Sequence, residues 1–584
     1  MEKEIVAREC KFAFHIPSKH PDVPDLHLIK ERVHYSDGTT APNLVFKEDY
    51  IRNFYVTKPV YRDHQQKKES EKLSRLNEYR CTQSQMRFRL AKALDRPGSN
   101  AQIKELCTSP YVYGTDLTST SMIKHDYKKQ WPDAISEYSV AVFDLETDML
   151  HGSELPIMGT VVFKNEVLTV VLRSFVEGFG DPIGAIDTMM DKYLSEYVVK
   201  RNIKARTLIV DTEFEIIDAC FKQLHAWKPD IVAIWNMDFD IPKCMEVCKN
   251  AGVDPKWVFS DPSVPDEFKS FRYKQGQKKR VSAAGKVFPI SPAAQWHVVY
   301  APASFQVLDA MCVYKLLRLA KGEERSYSLD YILNKVLGIR KLKFKEADGY
   351  IEGKWHIFMQ TYYKIEYIIY NRFDCISMQE LDEKTKDLSN TMPDYAGVTD
   401  FDVFNSQPKR IATDYHYYLL DNGEVLAAKG TTAAYVEDKD PEPSDVDENG
   451  DLIDDEGDGN IDDVVVKEDR VLSVKGWIIT LPSANVVDNG LRCLKEDHSL
   501  HTNARGHVYD SDCVSSYPSD IMALNVSKAT TVREIIRIEG IEEYTFRMQN
   551  INIMAGHTNA LEYCTTMFNF PTPSKMLELY QASR

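Results

Sequence analysis

Three short stretches carry acidic residues at spacings that suit phosphodiester chemistry. Residues 143–148 read FDLETD, 235–240 read WNMDFD and 370–374 read YNRFD. Side chains alternate along an extended chain, so Asp144 and Glu146 fall on the same side of a strand. Tyr370 and Asp374 lie one turn apart on one face of a helix. Asn236 and Asp240 fall at the turn that follows a short apolar run. Cutting a phosphodiester means driving a nucleophilic water onto a polyanion, and two divalent ions about 3.5–4 Å apart can activate that water and stabilise the leaving oxygen. Mg²⁺ and Mn²⁺ take hard oxygen ligands, so Asp and Glu suit the task better than His or Cys. The expected roles follow. Asp144 bridges the ions, Glu146 and Asp374 complete one site, Asp240 holds the second partly through water, and Tyr370 orients the attacking water. An isolated Asp-x-Glu arises by chance in most chains of this length, and its plain alternative is a solvated strand end. What argues for chemistry is the ordered set, each member on a plausible element.

Those elements are legible from the hydrophobic pattern. SVAVFD (139–144) has the look of a buried strand ending in acid. GTVVFKNEVLTVVL (159–172) predicts a hairpin turning at Lys164-Asn165. RTLIV, TEFEIIDACFKQLHAW and DIVAIWN predict strand, helix, strand over 206–236, and a further strand starts at Ser304. SLDYILNKVLG predicts a helix stopped by Gly338, and a long helix is expected over roughly 355–388. Strands alternating with helices imply an α/β layered architecture, in which active sites collect at strand ends. Residues 1 to 135 mix short β-like runs with a polar stretch, residues 64–94, that reads as a solvated helix.

Composition bounds the function class. With 584 residues, 43% of them hydrophobic and 27% charged, the chain is an ordinary globular protein of roughly three to five domains. The net charge of −16 is concentrated: sixteen Asp/Glu and two Lys lie between Glu437 and Asp469, so the remainder is near neutral and leaves room for basic grooves. The start is charged from its second residue, unlike a secretory signal, and no apolar run approaches the ~20 residues of a membrane span. Eleven scattered cysteines, the closest pair being Cys244 and Cys248, fit a reduced intracellular setting with no membrane partner.

FDLETD, WNMDFD and YNRFD resemble the three exonuclease motifs of family B DNA polymerases: Asp-x-Glu, Asn-x(2–3)-Phe/Tyr-Asp and Tyr-x(3)-Asp. SYSLDYI lies between the second and third, and DCVSSYPS (512–519) is similar to the family's Asp-x-x-Ser-Leu-Tyr-Pro-Ser, all in the family's order. The likeness is greatest to polymerases of tailed bacteriophages, which implies the cytoplasm of an infected bacterial host. It implies an α+β multidomain chain: an N-terminal mixed β domain over 1–135, an RNase H-like 3′–5′ exonuclease domain over 136–390, a helical connection over 391–435, an acidic flexible insert over 436–469 and a partial polymerase palm over 470–584. It carries over Asp144, Glu146, Asp240 and Asp374 as metal ligands, Tyr370 as water orienter, and Asn236 and Phe239 as contacts to the substrate strand. Asp512 becomes a palm metal ligand, and Tyr517 the residue that closes on the sugar and excludes ribonucleotides. Ser516 departs from the usual Leu, and Asp510 makes this stretch unusually acidic.

The family's fingers motif, Lys-x(3)-Asn-x(2–3)-Tyr-Gly, and its Asp-Thr-Asp-Ser are both absent from the sequence. Polymerisation therefore calls for a second chain carrying the rest of the palm, the fingers and the thumb; a stand-alone exonuclease with a palm remnant is the alternative. The resemblance implies single-stranded DNA 3′ ends and primer-template as partners, allows a sliding clamp, and requires two Mg²⁺ or Mn²⁺ ions. RYKQGQKKR (272–280) falls where the family places a strand-separating hairpin, with Phe271 and Tyr273 candidates for stacking on bases or for the core. In the acidic segment, DVDENGDLIDDE (445–456) matches the calcium-loop pattern at Asp445, Asp447, Asn449, Gly450, Leu452 and Glu456. Its flanks cannot form the paired helices of an EF-hand, so a solvated linker is expected ahead of Ca²⁺ binding.

Overall fold

A computed structural model describes residues 3–18, 24–64, 67–281, 287–318, 322–351, 353–390, 407–430, 531–537 and 544–550. Asp445, Asp447, Asn449, Glu456, Asp512 and Tyr517 lie outside the described residues. The chain divides into two compact units, Met1–Asp463 and Val464–Arg584.

The first unit opens with an antiparallel sheet of β1 (Ile5–Ile16), β2 (Leu26–Tyr35) and β3 (Thr40–Glu48). A second small sheet has the order β6-β4-β7, from β4 (Arg52–Thr57), β6 (Leu76–Cys81) and β7 (Val112–Tyr113), with β5 (Ser70–Lys72) between β4 and β6 in sequence. Helices α1 (Met86–Ala93), α2 (Ile103–Leu106) and α3 (Ser119–Gln130) complete this region. The polar stretch 64–94 is thus not the helix expected from its composition; among its described residues only α1 is α-helical, with a single 3-10 turn at Leu73–Arg75. β6 pairs in full register with β4, and Phe54 stacks on Tyr79 with ring centroids 5.3 Å apart. A cross-strand partner and a stacked aromatic outweigh the weak helical preference of Lys, Glu and Arg.

The central sheet holds six strands in the order β11-β10-β9-β8-β12-β17. They are β8 (Val140–Thr147), β9 (Pro156–Phe163), β10 (Glu166–Leu172), β11 (Lys204–Val210), β12 (Ile231–Ile234) and, after the excursion described below, β17 (Gln306–Asp309). β8, β9 and β10 run antiparallel, whereas β12 lies parallel to both β8 and β17. The β9–β10 hairpin turns at Lys164-Asn165, with Lys164 in the left-handed region at φ 57°. Helix α4 (Pro182–Arg201) leads into β11, and α5 (Glu213–Trp227) starts at a capping box in which Thr212 Oγ1 accepts the Glu215 N–H and Glu215 Oε2 accepts the Thr212 N–H. WNMDFD, expected as a turn, is instead the N-cap and first turn of α6 (Met237–Asn250).

Between α6 and β17 the chain makes a short helix α7 (Lys256–Phe259) and two small hairpin-like pairings. β13 (Arg272–Lys274) pairs with β16 (Val298–Tyr300), and β14 (Lys279–Val281) pairs with β15 (Val287–Pro289). The basic cluster lies on β13 and β14. Phe271 packs on Phe259 at 4.5 Å between centroids and Tyr273 is held by hydrogen bonds, so both belong to the packing. Helices α8 (Ala310–Leu317) and α9 (Leu329–Leu337) follow, the latter stopped by Gly338 at φ 73°. The single helix expected over 355–388 is two: α10 (Gly353–Tyr362) and α11 (Lys364–Thr385), broken at Tyr363 with φ −133° and ψ 48°. The break lets α10 turn across the end of β8 while α11 runs buried over the sheet.

Alternation along β8 sorts its side chains. Phe143 faces α5, where it meets Phe221 at 5.5 Å between centroids, so Asp144 and Glu146 face α11. Helix α12 (Gln407–Asp421) and β18 (Glu424–Leu426) end the described part of the unit, and β18 pairs with β5. The second unit contains an antiparallel pair, β19 (Thr531–Arg537) and β20 (Tyr544–Asn550). The whole is a mixed α/β architecture with several sheets. Among the described residues no helix is long and apolar enough to cross a membrane.

Candidate metal centre

β8 and α11 bring together side chains far apart in sequence. Ligand oxygens of Asp144, Glu146 and Asp374 all lie within 4.8 Å of one another. Each carboxylate accepts from a neighbouring side chain. Asn371 Nδ2 donates to Asp144 Oδ2 at 2.7 Å, the Tyr367 hydroxyl donates to Glu146 Oε2, and Lys341 Nζ donates to Asp374 Oδ2 at 2.5 Å. Tyr367, Tyr370, Asn371 and Asp374 recur at helical spacing, so α11 presents all four on one face. Lys341 comes from the irregular segment after Gly338. Asp330, in the first turn of α9, fixes that segment by accepting the Lys341 N–H at 2.9 Å and Arg340 at 2.8 Å. Lys341 Nζ also donates to the Tyr370 hydroxyl at 3.1 Å.

Behind Glu146, α10 supplies a brace. Gln360 Nε2 donates to the Thr147 carbonyl at 2.7 Å, and Gln360 Oε1 accepts the Met149 and Leu150 N–H groups at 3.0 and 3.1 Å. His356 Nδ1 lies 2.7 Å from the Tyr367 hydroxyl. That hydroxyl has one proton, so when it donates to an ionised Glu146 the His356 Nδ1 must be the donor to it.

Three carboxylates against one lysine leave the site short of positive charge. Burial, and then the neighbouring Asp374, push Asp144 up to about 7. Burial, and then Asp144, push Glu146 up to about 8. Burial raises Asp374 as well, against the pull of Lys341. For Lys341 burial opposes the charge, but Asp374 and Tyr370 outweigh it and hold the ammonium firmly protonated. Asp374 Oδ1 is buried with no hydrogen-bond partner. An unpartnered buried carboxylate oxygen beside two further carboxylates fits a hard divalent cation, which would supply the missing charge.

Asp240 joins the constellation from one side and outside the triad. Its Oδ1 accepts the Leu145 N–H at 3.1 Å, so it packs against the backbone between Asp144 and Glu146. Burial and the charge of Asp144 raise its pKa. Asn236 is the N-cap of α6 and exposed, and Phe239 is 42% exposed beside it. Asp309 holds this corner: its two oxygens accept the Met237 and Cys312 N–H groups at 3.1 and 2.9 Å, tying the starts of α6 and α8 together. Burial pushes Asp309 up to about 7. Asp238 faces the 272–300 excursion, accepting from Tyr273 at 3.2 Å and pairing with Lys278 at 2.9 Å.

The five positions expected to do chemistry therefore converge, with Asp144, Glu146 and Asp374 in one cluster, Tyr370 on Lys341 and Asp240 adjacent. Sequence reasoning missed Lys341, Tyr367, Asn371, His356 and Gln360. Tyr367 and Asn371 had a usable signal, since they share the helical stripe of Tyr370 and Asp374. Lys341 had none, because an irregular segment carries no period. No family model and no curated protein matches this chain.

Proposed function

We propose that this chain is the proofreading 3′–5′ DNA exonuclease portion of a family B DNA polymerase, with an RNase H-like catalytic domain that hydrolyses phosphodiesters using two Mg²⁺ or Mn²⁺ ions. The observation that carries this reading is the closure of Asp144, Glu146 and Asp374 to within 4.8 Å, from motifs that follow the family's order. A mixed sheet with carboxylates on β8 and in the first turn of the helix that follows parallel β12, crossed by α11, supports the fold assignment.

Asp144, Glu146 and Asp374 would hold the cations, with Asp240 contributing from the side of α6. Bound there, divalent cations supply Lewis acidity that makes water nucleophilic and offsets the charge of the phosphodiester. Tyr370, whose hydroxyl accepts from Lys341, keeps its own proton to direct toward an incoming water. Lys341 offsets part of the site's negative charge. Asn236 and Phe239, exposed at the start of α6, would touch the terminal nucleotides, Phe239 by stacking. Asp512 and Tyr517 would belong to a polymerase palm. The test is Mg²⁺-dependent digestion of 5′-labelled single-stranded DNA. Shortening from the 3′ end is expected from the wild-type chain and lost in Asp144→Ala/Glu146→Ala; equal digestion by both would overturn the assignment.

A further inference from the structure

All three carboxylates of the centre share one feature: a donor occupies one oxygen of each. Asn371 takes Asp144 Oδ2 at 2.7 Å, Tyr367 takes Glu146 Oε2, and Lys341 takes Asp374 Oδ2 at 2.5 Å, while Asp374 Oδ1 stays buried without a partner. A cation sharing a gripped oxygen would meet a hydrogen, or an ammonium, already directed at it. Each gripped oxygen has one of its two lone-pair positions taken, so the other oxygen of each carboxylate is the freer one and a single-oxygen contact is favoured. Mg²⁺ and Mn²⁺ accept single-oxygen carboxylates in a compact octahedron, whereas Ca²⁺ prefers more ligands and two-oxygen carboxylates.

The grips are themselves well fixed. Asn371 is fully buried, and Tyr367 is buried and backed by His356 at 2.7 Å and Gln360 at 3.4 Å. Swinging aside would cost Tyr367 its bond to Glu146, and would leave Asn371, whose buried Oδ1 already accepts no hydrogen bond, without one at Nδ2 as well. We infer that Tyr367 and Asn371 are positioning residues that hold Glu146 and Asp144 to single-oxygen coordination and thereby select Mg²⁺ or Mn²⁺ over Ca²⁺. This rests on the metal-centre reading above, and needs no substrate to be tested.

The experiment is calorimetric titration of the full chain with Mg²⁺, Mn²⁺ and Ca²⁺ separately, using Asp144→Ala/Glu146→Ala to subtract cation binding by the acidic segment 437–469. Tyr367→Phe removes one hydroxyl and keeps the ring; Asn371→Leu keeps the volume and removes the donor. Thermal unfolding without cations shows whether each variant folds, and Tyr367→Phe alone suffices should Asn371→Leu fail. Both are expected to weaken Mg²⁺ binding about 10-fold, the lower end for loss of a partner behind a ligand, while Ca²⁺ binding holds or tightens. Equal weakening of both cations, or an unchanged ratio, would overturn the inference and leave the metal centre standing. Wild type indistinguishable from the double alanine variant would overturn the metal-centre reading and this inference with it.

Discussion

The two ends of β8 handle buried charge in opposite ways. At its start, Asp230 is fully buried, just ahead of β12, and faces two cations: Arg32 bonds its Oδ2, and Lys30 Nζ lies 3.9 Å from its Oδ1. Ser139 adds its N–H and its hydroxyl to Asp230 Oδ2, each at 2.8 Å. Lys30 in turn donates to the Lys228 carbonyl at 2.8 Å, and burial lowers it to about 8 against the pull of Asp230. At the far end three carboxylates share one lysine, and their pKa values are driven up. The first cluster joins the N-terminal sheet to the central one and has two cations facing its one carboxylate, although Asp230 Oδ1 itself accepts no hydrogen bond. The second is open, and the deficit is what a bound cation would fill. A buried carboxylate matched by cations ties elements together; carboxylates left short of cations could take one from solution.

Substitutions at the two ends should therefore have opposite signs. The largest effect is expected at the Asp230 end: Asp230→Asn strands Arg32 and Lys30 and should destabilise the unit by about 3–5 kcal/mol, read by denaturant unfolding. A neutral result would mean that the two cations do not rely on Asp230. At the open end, Asp144→Asn should stabilise the cation-free chain at pH 8 by roughly 1–2 kcal/mol, because it removes a buried charge the fold disfavours. The same variant should lose the stabilisation expected from Mg²⁺ in the wild type, and destabilisation without cations would mean that the fold does not disfavour the Asp144 charge.

The pH dependence follows from the same groups. Asp144 and Glu146 titrate at about 7 and about 8 in the folded chain, above the ordinary carboxylate value near ~4. Their contribution is fully present below that ordinary value and is lost as pH rises through 7 to 8. Cation-free wild type should lose up to about 1.4 kcal/mol per pH unit per group between roughly pH 5 and 7. Asp144→Asn/Glu146→Gln should show a shallower decline, and saturating Mg²⁺ should flatten the wild-type curve. Parallel curves for wild type and variant would contradict the raised values. The smallest expected effect is at Lys341: Lys341→Met removes the competing cation from Asp374 Oδ2 and should tighten Mg²⁺ binding by about 3- to 10-fold. Weaker binding would make Lys341 a support for the ligands, not a competitor.

Much of the local structure was visible one element at a time. The Lys164-Asn165 turn and the Gly338 stop follow from neighbours within a few residues, and each sits where local chemistry puts it. The stretch 64–94 was misread because β6 owes its form to β4, a partner no local pattern announces. The break at Tyr363 was likewise hidden, since the residues on both sides suit a helix and packing across the end of β8 is what divides them. Lys341 is the extreme case: it reaches Asp374 from 33 residues upstream through a segment with no period.

Which functional groups exist, and which share a face, can be read along the chain: Asp144 with Glu146 by strand alternation, Tyr370 with Asp374 by helical spacing. These are consequences of backbone geometry, fixed by the nearest bonds. That residues 227 apart, Asp144 and Asn371, meet at 2.7 Å, that Asp240 stands against the Leu145 amide, and that one lysine faces three carboxylates emerges only in the folded chain. Those distances are set by how α10 and α11 pack over the sheet, and packing depends on the whole core at once.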